Sequence, residues 1–289
     1  MEYAASHRDE PRGGEEWHMV CPRCTGTAVI KNGRDRRGAQ VYRCAPCAYA
    51  FTALLQTPFS GFHFPPDLIA LAVRWYLRYW LSLADVAELL AERHIHVDRT
   101  TIYAWVVRFA PLYQEAARAH RHRVGDRWAI DETYVKVAGQ SCYLYRAVDQ
   151  WGQVVDVYFS ERRDAAAAIA FFRGALESTG VTPRRVTTDK AAVYPPALAV
   201  VLPGVDHVTG KLAQQQIERD HQHLKGRIHC MRGFKSSLGA QIFGRAHAFM
   251  RNLRDGFFRL GLVLGDPRIP RQPRLVLAWD ELTTNLLAA

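Results

Sequence analysis

The spacing of apolar positions changes once along the chain and divides it into two parts. From Pro66 to about Phe109, apolar residues recur every three or four positions, which is the spacing of amphipathic helices. From residue 127, three runs rich in aromatic and β-branched residues are separated by short glycine-containing segments, which predicts strands at 127–137, 142–149 and 153–160. The first part is therefore predicted to be helical, and the second to open with an antiparallel meander.

Helical and strand patterns alternate after the meander. The predicted elements are, in order, a helix over 163–178 that ends before Gly180, a strand over 184–188, a short strand over 205–208, a polar helix over 214–227, a helical region over 234–260 and a last helix over 274–287. Three strands, a helix, a strand and a further helix form the order expected of a ribonuclease-H-like α/β layer. The fold class is therefore predicted to be α/β.

Two capped helices precede the meander. Ser82, followed by Asp85 three residues later, is predicted to cap the first helix, and Asp98 is predicted to cap the second. The second helix would bury four apolar residues, which are Ile102, Trp105, Val106 and Phe109. Its first turn would face outwards with Arg99, Thr100, Thr101 and Tyr103, where a recognition helix meets the major groove. A DNA-binding helix-turn-helix is predicted; the alternative is an ordinary packed pair with solvated polar residues.

Four cysteines near the N-terminus have the spacing of a metal site. Two C-x2-C pairs, Cys21 with Cys24 and Cys44 with Cys47, are separated by 19 residues. Each pair can place two sulfur atoms on one tight turn, and two turns complete a tetrahedron around zinc. The segment between the pairs reads as two short strands around a basic turn, so a zinc ribbon with one structural Zn²⁺ is predicted. The basic turn favours phosphate contact, although a purely structural ribbon is the alternative.

The net charge and the apolar runs of the chain limit the kinds of partner that it is expected to bind. The chain has 289 residues, a net charge of +10 and a pI near 9.5, which favours an acidic partner such as nucleic acid. No apolar run approaches the roughly 20 residues that span a bilayer. The first 17 residues are polar and lack the apolar segment of a signal peptide, so they are predicted to be a disordered lead. We expect a cytoplasmic protein, associated with the bacterial nucleoid and with no membrane partner.

Three acidic residues occupy positions that suit metal-dependent chemistry. Asp131 lies in the first strand of the meander, Asp189 ends the fourth strand, and Glu218 lies on the polar helix. Carboxylates at strand ends and on a facing helix can converge on two divalent cations that promote phosphoryl transfer. Strand alternation would direct Asp131 and Glu132 to opposite faces, so only one of them is expected in a shared site. His221 lies at i+3 from Glu218, so it shares that helix face and could help to hold metal and phosphate.

Lys225, at i+7 from Glu218, lies on the same face and could contact a DNA phosphate. Each of the three acids also has an ordinary alternative. Asp131 could be a satisfied polar group, Asp189 could cap a helix from Lys190 onwards, and Glu218 could be one exposed glutamate among several. Spacing alone does not show that the three converge.

Several motifs in a fixed order resemble one known family. They are Trp128–Tyr134, Tyr143–Asp149, Thr188–Lys190, Ile217–His221 with Lys225, and Gly233–Lys235. In these segments, and over about 59–259, the chain closely resembles the DDE transposases of the bacterial insertion sequence six family. The resemblance implies that Asp131, Asp189 and Glu218 are the three catalytic acids and hold two Mg²⁺ ions. It also implies that Lys225 contacts DNA.

The resemblance implies a reaction and an assembly. A family member cleaves at the 3′ end of the element and transfers that strand to target DNA, with two ends held by a dimer or larger homo-oligomer. The chain departs from the family in having only 28 residues between Asp189 and Glu218, fewer than is usual. The zinc ribbon looks like an N-terminal extension carried by some members. Alternative functions are a catalytically inactive DNA-binding regulator and a ribonuclease-H-like nuclease that cuts without joining.

The predicted domain organisation follows these assignments: a lead over 1–17, the zinc ribbon over 18–58, the helix-turn-helix domain over 59–122, the catalytic core over 123–262 and a C-terminal tail over 263–289.

Overall fold

The structure is a computed structural model that describes residues 19–35, 39–210, 214–231, 233–261 and 271–288. The chain divides into two compact units, one that ends at Pro65 and one over Pro66–Ala288. The predicted lead over 1–17 and part of the basic turn of the ribbon lie outside the described residues. The second unit holds both the helix-turn-helix segment and the catalytic core, so the boundary at residue 122 stays a prediction.

The first unit is a small three-stranded antiparallel sheet. Its strands are β1 (Val29–Arg34), β2 (Gln40–Cys44) and β3 (Ala50–Thr52), in that order. Strands β1 and β2 were predicted, whereas β3 was not, because three residues are too few for a period to be read. Phe51 packs with two of the cysteines in a small buried cluster. With so little apolar surface, this unit depends on what its cysteines hold.

Three helices open the second unit: α1 (Pro66–Arg78), α2 (Leu83–Ala91) and α3 (Arg99–Arg118). The predicted caps are present. Ser82 and Asp85 form a reciprocal capping box, and the carboxylate of Asp98 accepts the amide hydrogen of Thr100. The four predicted core residues of α3 are all buried, at 0–3 % exposure: Ile102, Trp105, Val106 and Phe109.

The central sheet has five strands: β4 (Arg127–Val137), β5 (Gln140–Asp149), β6 (Val154–Ser160), β7 (Arg185–Thr188) and β8 (Asp206–Thr209). Their order is β6-β5-β4-β7-β8, with β4, β5 and β6 antiparallel and with β7 and β8 parallel to β4. An antiparallel meander extended on one side by two parallel strands is the ribonuclease-H-like arrangement. This confirms the predicted fold class.

Helices cover both faces of the sheet. On one face, α4 (Ala165–Thr179) and α5 (Tyr194–Val201) bury a core that includes Trp128 and Ile130 of β4. On the other face, α6 (Gln214–Cys230) and α7 (Ser237–Asp255) pack against β4, β5 and β6. Gly244 lets α7 approach closely, because a Cβ atom there would lie 3.1 Å from Leu144. Helix α5 was not predicted from the sequence; its two prolines occupy the first turn, where proline is tolerated.

The C-terminal helix α8 (Arg271–Ala288) belongs to the core of the second unit. Trp279 is 1 % exposed, its ring stacks on Tyr113 of α3 with centroids 4.0 Å apart, and its indole nitrogen donates to the carbonyl oxygen of Ala70. The predicted tail is thus a packed helix between α1 and α3. No helix in the described ranges combines the length and apolar character needed to cross a membrane.

Candidate active site

Two of the predicted acids meet on adjacent parallel strands, Asp131 within β4 and Asp189 directly after the end of β7. In the register of β4 and β7, Ala129 pairs with Thr187, so Asp131 and Asp189 both lie two residues further along. Carboxylate oxygens of Asp131, Glu132 and Asp189 all lie within 4.8 Å of one another. Asp189 accepts the amide hydrogen of Ala191 at 2.9 Å but caps no helix, since α5 begins at Tyr194. The strand pairing therefore builds an acidic site.

Glu132 joins this cluster, contrary to the expectation that only one of the neighbouring acids would take part. Alternation does separate the two side chains. Glu132 lies on the face of α4 and α5, where it pairs with Arg163 and accepts the hydroxyl hydrogen of Tyr194. The carboxylates nonetheless converge, because Asp189 at the tip of β7 lies near both. Arg163 also reaches Asp189, with 3.5 Å between Nη2 and Oδ2, and so bridges two of the three acids.

Burial and like charge act together on Asp131. Burial, and then the negative charges of Glu132 and Asp189, raise the pKa of Asp131 to about 7. A carboxylate held this way is stabilised by a bound cation, and hard divalent cations favour oxygen ligands of this kind. The chemistry of this donor set therefore fits a divalent metal, with Asp131 and Asp189 as the ligands whose oxygens are least engaged by other groups.

His221 contacts the site from α6. Its Nδ1 atom lies 3.4 Å from Oδ2 of Asp131, and the side chain is buried. Burial, and then the positive charge of Arg146, lower the pKa of His221 to about 4, so the ring is neutral at pH 7. This position argues against the predicted DNA contact for His221, because the ring faces Asp131 rather than solvent. We interpret it as a residue that orients Asp131.

Glu218 lies one turn before His221 on the same helix and is exposed. It is not part of the cluster formed by the other acids among the described residues. The 28 residues between Asp189 and Glu218 contain α5 and β8, so even the short spacing accommodates two elements. Lys225 is also exposed on α6. The structure therefore brings the helix of the third acid to the site without engaging its carboxylate.

A buried ion-pair network holds α6 against the sheet. Asp220 accepts two hydrogen bonds from Arg146 of β5 and one from Arg251 of α7, and both Arg146 and Asp220 are 0 % exposed. Burial opposes the charge of Asp220, but the two guanidinium groups prevail and lower its pKa to about 2. Sequence reasoning missed these residues. The available indication was Arg146 itself, a charged residue in the apolar run of β5.

The predicted DNA-contacting residues of α3 lie at its start. Arg99, Thr100 and Tyr103 are exposed and Thr101 is half-buried. Thr100 also donates its hydroxyl hydrogen to Asp98. The hydroxyl of Tyr103 lies beside the first turn of α7, so this residue is anchored on one side. Their orientation is as predicted, whereas their contact with DNA stays a prediction.

The four predicted zinc ligands of the first unit converge. The sulfur atoms of Cys21, Cys24, Cys44 and Cys47 lie within 4.8 Å of one another, with closest pairs at 3.5 and 3.6 Å. A zinc tetrahedron with Zn–S bonds near 2.3 Å has sulfur–sulfur edges of roughly 3.8 Å. The residue after each pair, Thr25 and Ala48, adopts a positive φ of 57° and 55°, so the two turns are built alike. The cluster fits a zinc ribbon.

Comparison with known proteins gives consistent results. The family model described as "DDE domain" matches residues 125–256. The chain is 37 % identical over 169 residues to the transposase for insertion sequence-like element IS431mec of Staphylococcus aureus strain Mu50, a match that covers 57 % of this chain and 75 % of the relative. The same identity and coverage apply to the transposase of IS257 in transposon Tn4003 of Staphylococcus aureus.

Similar solved structures include the catalytic core of HTLV-2 integrase in complex with magnesium and that of BIV integrase. The first is 17 % identical, covers 58 % of this chain and 86 % of its own, and has a TM-score of 0.29. The second is 17 % identical, covers 56 % of this chain and 99 % of its own, and has a TM-score of 0.35.

A ribonuclease-H-like sheet with neighbouring aspartates on two adjacent parallel strands is typical of the carboxylate-dependent polynucleotidyl transferases. The relatives, of which the match covers 75 %, place the chain within this class. The chain belongs to the DDE transposases of the insertion sequence six family.

Proposed function

We propose that this transposase cleaves DNA at the 3′ ends of its element and joins those ends to target DNA, using divalent cations held by Asp131, Asp189 and Glu218. One observation carries the proposal: the carboxylates of Asp131 in β4 and Asp189 directly after β7 meet, with oxygens within 4.8 Å of one another. The preferred ion is Mg²⁺, which binds a few carboxylates together with substrate phosphates.

The residues of the chain have distinct roles in this proposal. When bound, two such cations activate an oxygen nucleophile and stabilise the leaving oxygen, so one site serves both cleavage and joining. Asp131 and Asp189 are fixed by the pairing of β4 and β7, and His221 orients Asp131. Arg163 balances the acidic charge and keeps Glu132 in place.

Glu218 is proposed to be the third ligand. It is exposed on α6, one turn from the residue that contacts Asp131, and no ion pair or hydrogen bond of its carboxylate is recorded within the described chain. The side chain is therefore available to turn toward a cation when DNA is bound. The buried Arg146–Asp220 pair holds α6 against the sheet beside the site.

DNA is the proposed partner, through several surfaces. The net charge of +10 suits a polyanion. Arg99, Thr100, Thr101 and Tyr103 at the start of α3 are proposed to contact the element end as a recognition helix. Lys225 is proposed to contact a phosphate near the cleaved bond. Because two ends must be joined, a homodimer or larger homo-oligomer is proposed, and an enzyme acting on chromosomal DNA is expected at the nucleoid.

The cysteine cluster is proposed to hold one structural Zn²⁺ ion per chain. Four sulfur ligands leave no open position for a substrate, which favours a structural site over a catalytic one. The exposed side chains of Lys31 and Arg43 make the ribbon surface basic, so the ribbon is proposed to add contacts with the DNA backbone.

Substitution of the three acids tests the reaction. Asp131→Asn, Asp189→Asn and Glu218→Gln are each expected to reduce strand transfer by about a thousandfold or more, because a lost ligand removes several kcal/mol of transition-state stabilisation. Binding of element-end DNA should remain. The assay joins labelled end oligonucleotides to plasmid DNA with and without Mg²⁺, and Glu115→Gln, an exposed carboxylate on α3, is the matched control.

Normal joining by any of the three variants would remove that residue from the site. Cleavage of end DNA by the wild type without any joined product would favour the nuclease alternative. Binding of DNA without either reaction, in the presence of Mg²⁺, would favour the regulator.

A further inference from the structure

A small cavity lies where α1, α6 and α7 meet, on the side of α6 away from the predicted DNA-contacting Lys225. We call it the basic pocket. Its lining includes four arginines, a histidine and a tryptophan: Arg78, Trp80, His223, Arg227, Arg251 and Arg254. The last turns of α1 and α7 supply Arg78 and Arg254, while His223 and Arg227 share one face of α6. Elements distant in sequence thus bring their positive charges to one place.

The positive charge of the pocket exceeds what its neighbours offset. Five guanidinium groups, those of the pocket and of Arg146, face two ion-paired carboxylates, Asp220 and Asp255, and Arg227 also feels the charge of Asp85. The C-terminal ends of α1 and α7 contribute about half a negative charge each. About one positive charge remains. Within the described residues, no carboxylate lies in ion-pair distance of Arg78 or Arg227.

Arg227 is a buried charged residue in the wall of the pocket. The residue is 1 % exposed, its Nη2 atom donates to the carbonyl oxygen of Tyr76, and its guanidinium lies over the rings of Tyr76 and Phe243. Its Nε and Nη1 atoms are buried and have no hydrogen-bond partner. Because these two atoms are sealed from solvent, Arg227 acts on a ligand in the pocket through its positive charge.

The cavity has the size of one oxyanion. Its volume is about 50 Å³. A single water needs about 10–15 Å³ on the same measure, so the cavity has room for roughly four oxygen-sized atoms. A tetrahedral phosphate group has four oxygens, and arginine is the side chain best suited to bind it through paired donors.

Trp80 gives the pocket a stacking surface. The outer edge of its six-membered ring lies against α6 at Gly226, where a Cβ atom would come within 2.7 Å of it, yet the residue remains 57 % exposed. Glycine is therefore required at position 226 for the ring to lie there. An exposed indole face beside a phosphate site suits a nucleotide, because any base can stack on it.

We propose that the basic pocket binds a backbone phosphate of DNA and that Trp80 stacks on the adjoining base where that base is unpaired. The inference extends the proposed function, since the DNA substrate is shared, but it adds a binding site outside the acidic cluster and outside the start of α3. An interrupted duplex at an element end or a cleaved strand presents this chemistry.

Paired substitutions test the pocket. Arg78→Gln with Arg254→Gln should weaken binding of a labelled oligonucleotide about tenfold or more and reduce the slope of log affinity against log salt by about two. The control is Arg118→Gln with Arg184→Gln, two exposed arginines that line no part of the pocket. Fluorescence anisotropy is measured without chelator and without added Mg²⁺ over a KCl series, with duplex DNA and with DNA carrying a single-stranded end.

The pocket proposal is overturned if both double variants lose affinity equally, or if neither does while the wild type binds. In the second case the proposed reaction stands, because the acidic residues are intact. No DNA binding by the wild type would remove both proposals. Saturation by millimolar inorganic phosphate with no loss of DNA binding would assign the pocket to free phosphate and reject the DNA assignment.

A second measurement does not depend on the stability of the arginine variants. Addition of the oligonucleotide with a single-stranded end should quench tryptophan emission in the wild type and less in Trp80→Phe, whose smaller ring keeps the packing against Gly226. Fully duplex DNA should quench less than DNA with the single-stranded end. Equal quenching in the wild type and in Trp80→Phe would reject stacking on Trp80.

Discussion

At the scale of one residue, Asp131 illustrates how a cluster of acids suited to a metal lowers the stability of the metal-free fold. Its pKa is raised to about 7 by burial and by two neighbouring acids, so the ionised form destabilises the metal-free fold above about pH 4 and does so fully above pH 7. Asp131→Asn should therefore raise the free energy of unfolding by about 1–3 kcal/mol at pH 8 in buffer without Mg²⁺ and without chelator. Urea denaturation measures this gain, which Mg²⁺ should reduce by stabilising only the wild type.

Glu132→Gln is the matched control for that prediction. It removes the same charge one residue away, but both oxygens of Glu132 are engaged by Arg163 and Tyr194. The substitution should lower the free energy of unfolding by about 1–3 kcal/mol, because it leaves Arg163 without its principal partner. If both substitutions change stability in the same direction, the two acids do not differ as the contacts indicate.

His247 makes the fold sensitive to acid. Burial, and then the positive charge of Arg146, lower its pKa to about 3, below the usual value near 6.5. Between about pH 6.5 and 3, this residue is protonated in the unfolded chain but not in the folded chain. The free energy of unfolding therefore falls as the pH decreases over this range, by up to about 1.4 kcal/mol per pH unit. His247→Phe should flatten this dependence in denaturation curves between pH 7 and 4.5, whereas His96→Gln, at an exposed position, should leave it unchanged.

At the scale of elements, the turn between β4 and β5 contains a residue that does not suit its backbone geometry. Ala138 and Gly139 form a two-residue turn with φ values of 48° and 85°, a geometry that favours Asn-Gly. Ala138→Asn should raise the free energy of unfolding by about 0.5–1 kcal/mol, because alanine is strained at positive φ. Thermal denaturation tests this.

Ala104→Asn is the control for the hairpin substitution. Ala104 is exposed on α3 in helical conformation, where asparagine is the poorer residue, so stability should fall by several tenths of a kcal/mol. Equal effects at positions 104 and 138 would indicate a general influence of asparagine and not relief of strain in the turn.

Helix α6 illustrates what sequence reasoning can reach at this scale. Its existence, its approximate bounds and its polar face were predicted from residue types. The buried pairing of Arg146 with Asp220, which positions the helix, joins residues 74 apart and has no local periodicity. Long-range pairings of this kind depend on which surfaces the fold brings together, and a single sequence does not record that.

At the level of the whole molecule, the two compact units are expected to differ in their need for metal. The unit that ends at Pro65 has a small core around its cysteines, whereas the unit over Pro66–Ala288 buries an extensive apolar core. A strong chelator should remove about one zinc per chain and unfold the first unit alone, because structural zinc supplies much of the folding energy of such units. Calorimetry should show one transition lost and the other retained.

Two cysteine variants sharpen the zinc experiment. Cys21→Ser should reproduce the effect of the chelator, whereas Cys230→Ser, on α6, should keep one zinc per chain by elemental analysis. Zinc bound equally by wild type and Cys21→Ser, or absent from the freshly purified wild type, would reject the proposed site.

The sequence alone determined most of the helices and strands apart from β3 and α5, the order of the strands along the chain, the spacing of the four cysteines and the identity of the candidate acids, because these follow from local periodicity, spacing and motifs. Only the tertiary structure decided that Glu132 joins Asp131 and Asp189, that His221 turns inward, that α8 packs against α3, and that four arginines surround one cavity. Local spacing constrains residues within one or two turns of each other, whereas these arrangements arise from packing between elements that are distant in the chain.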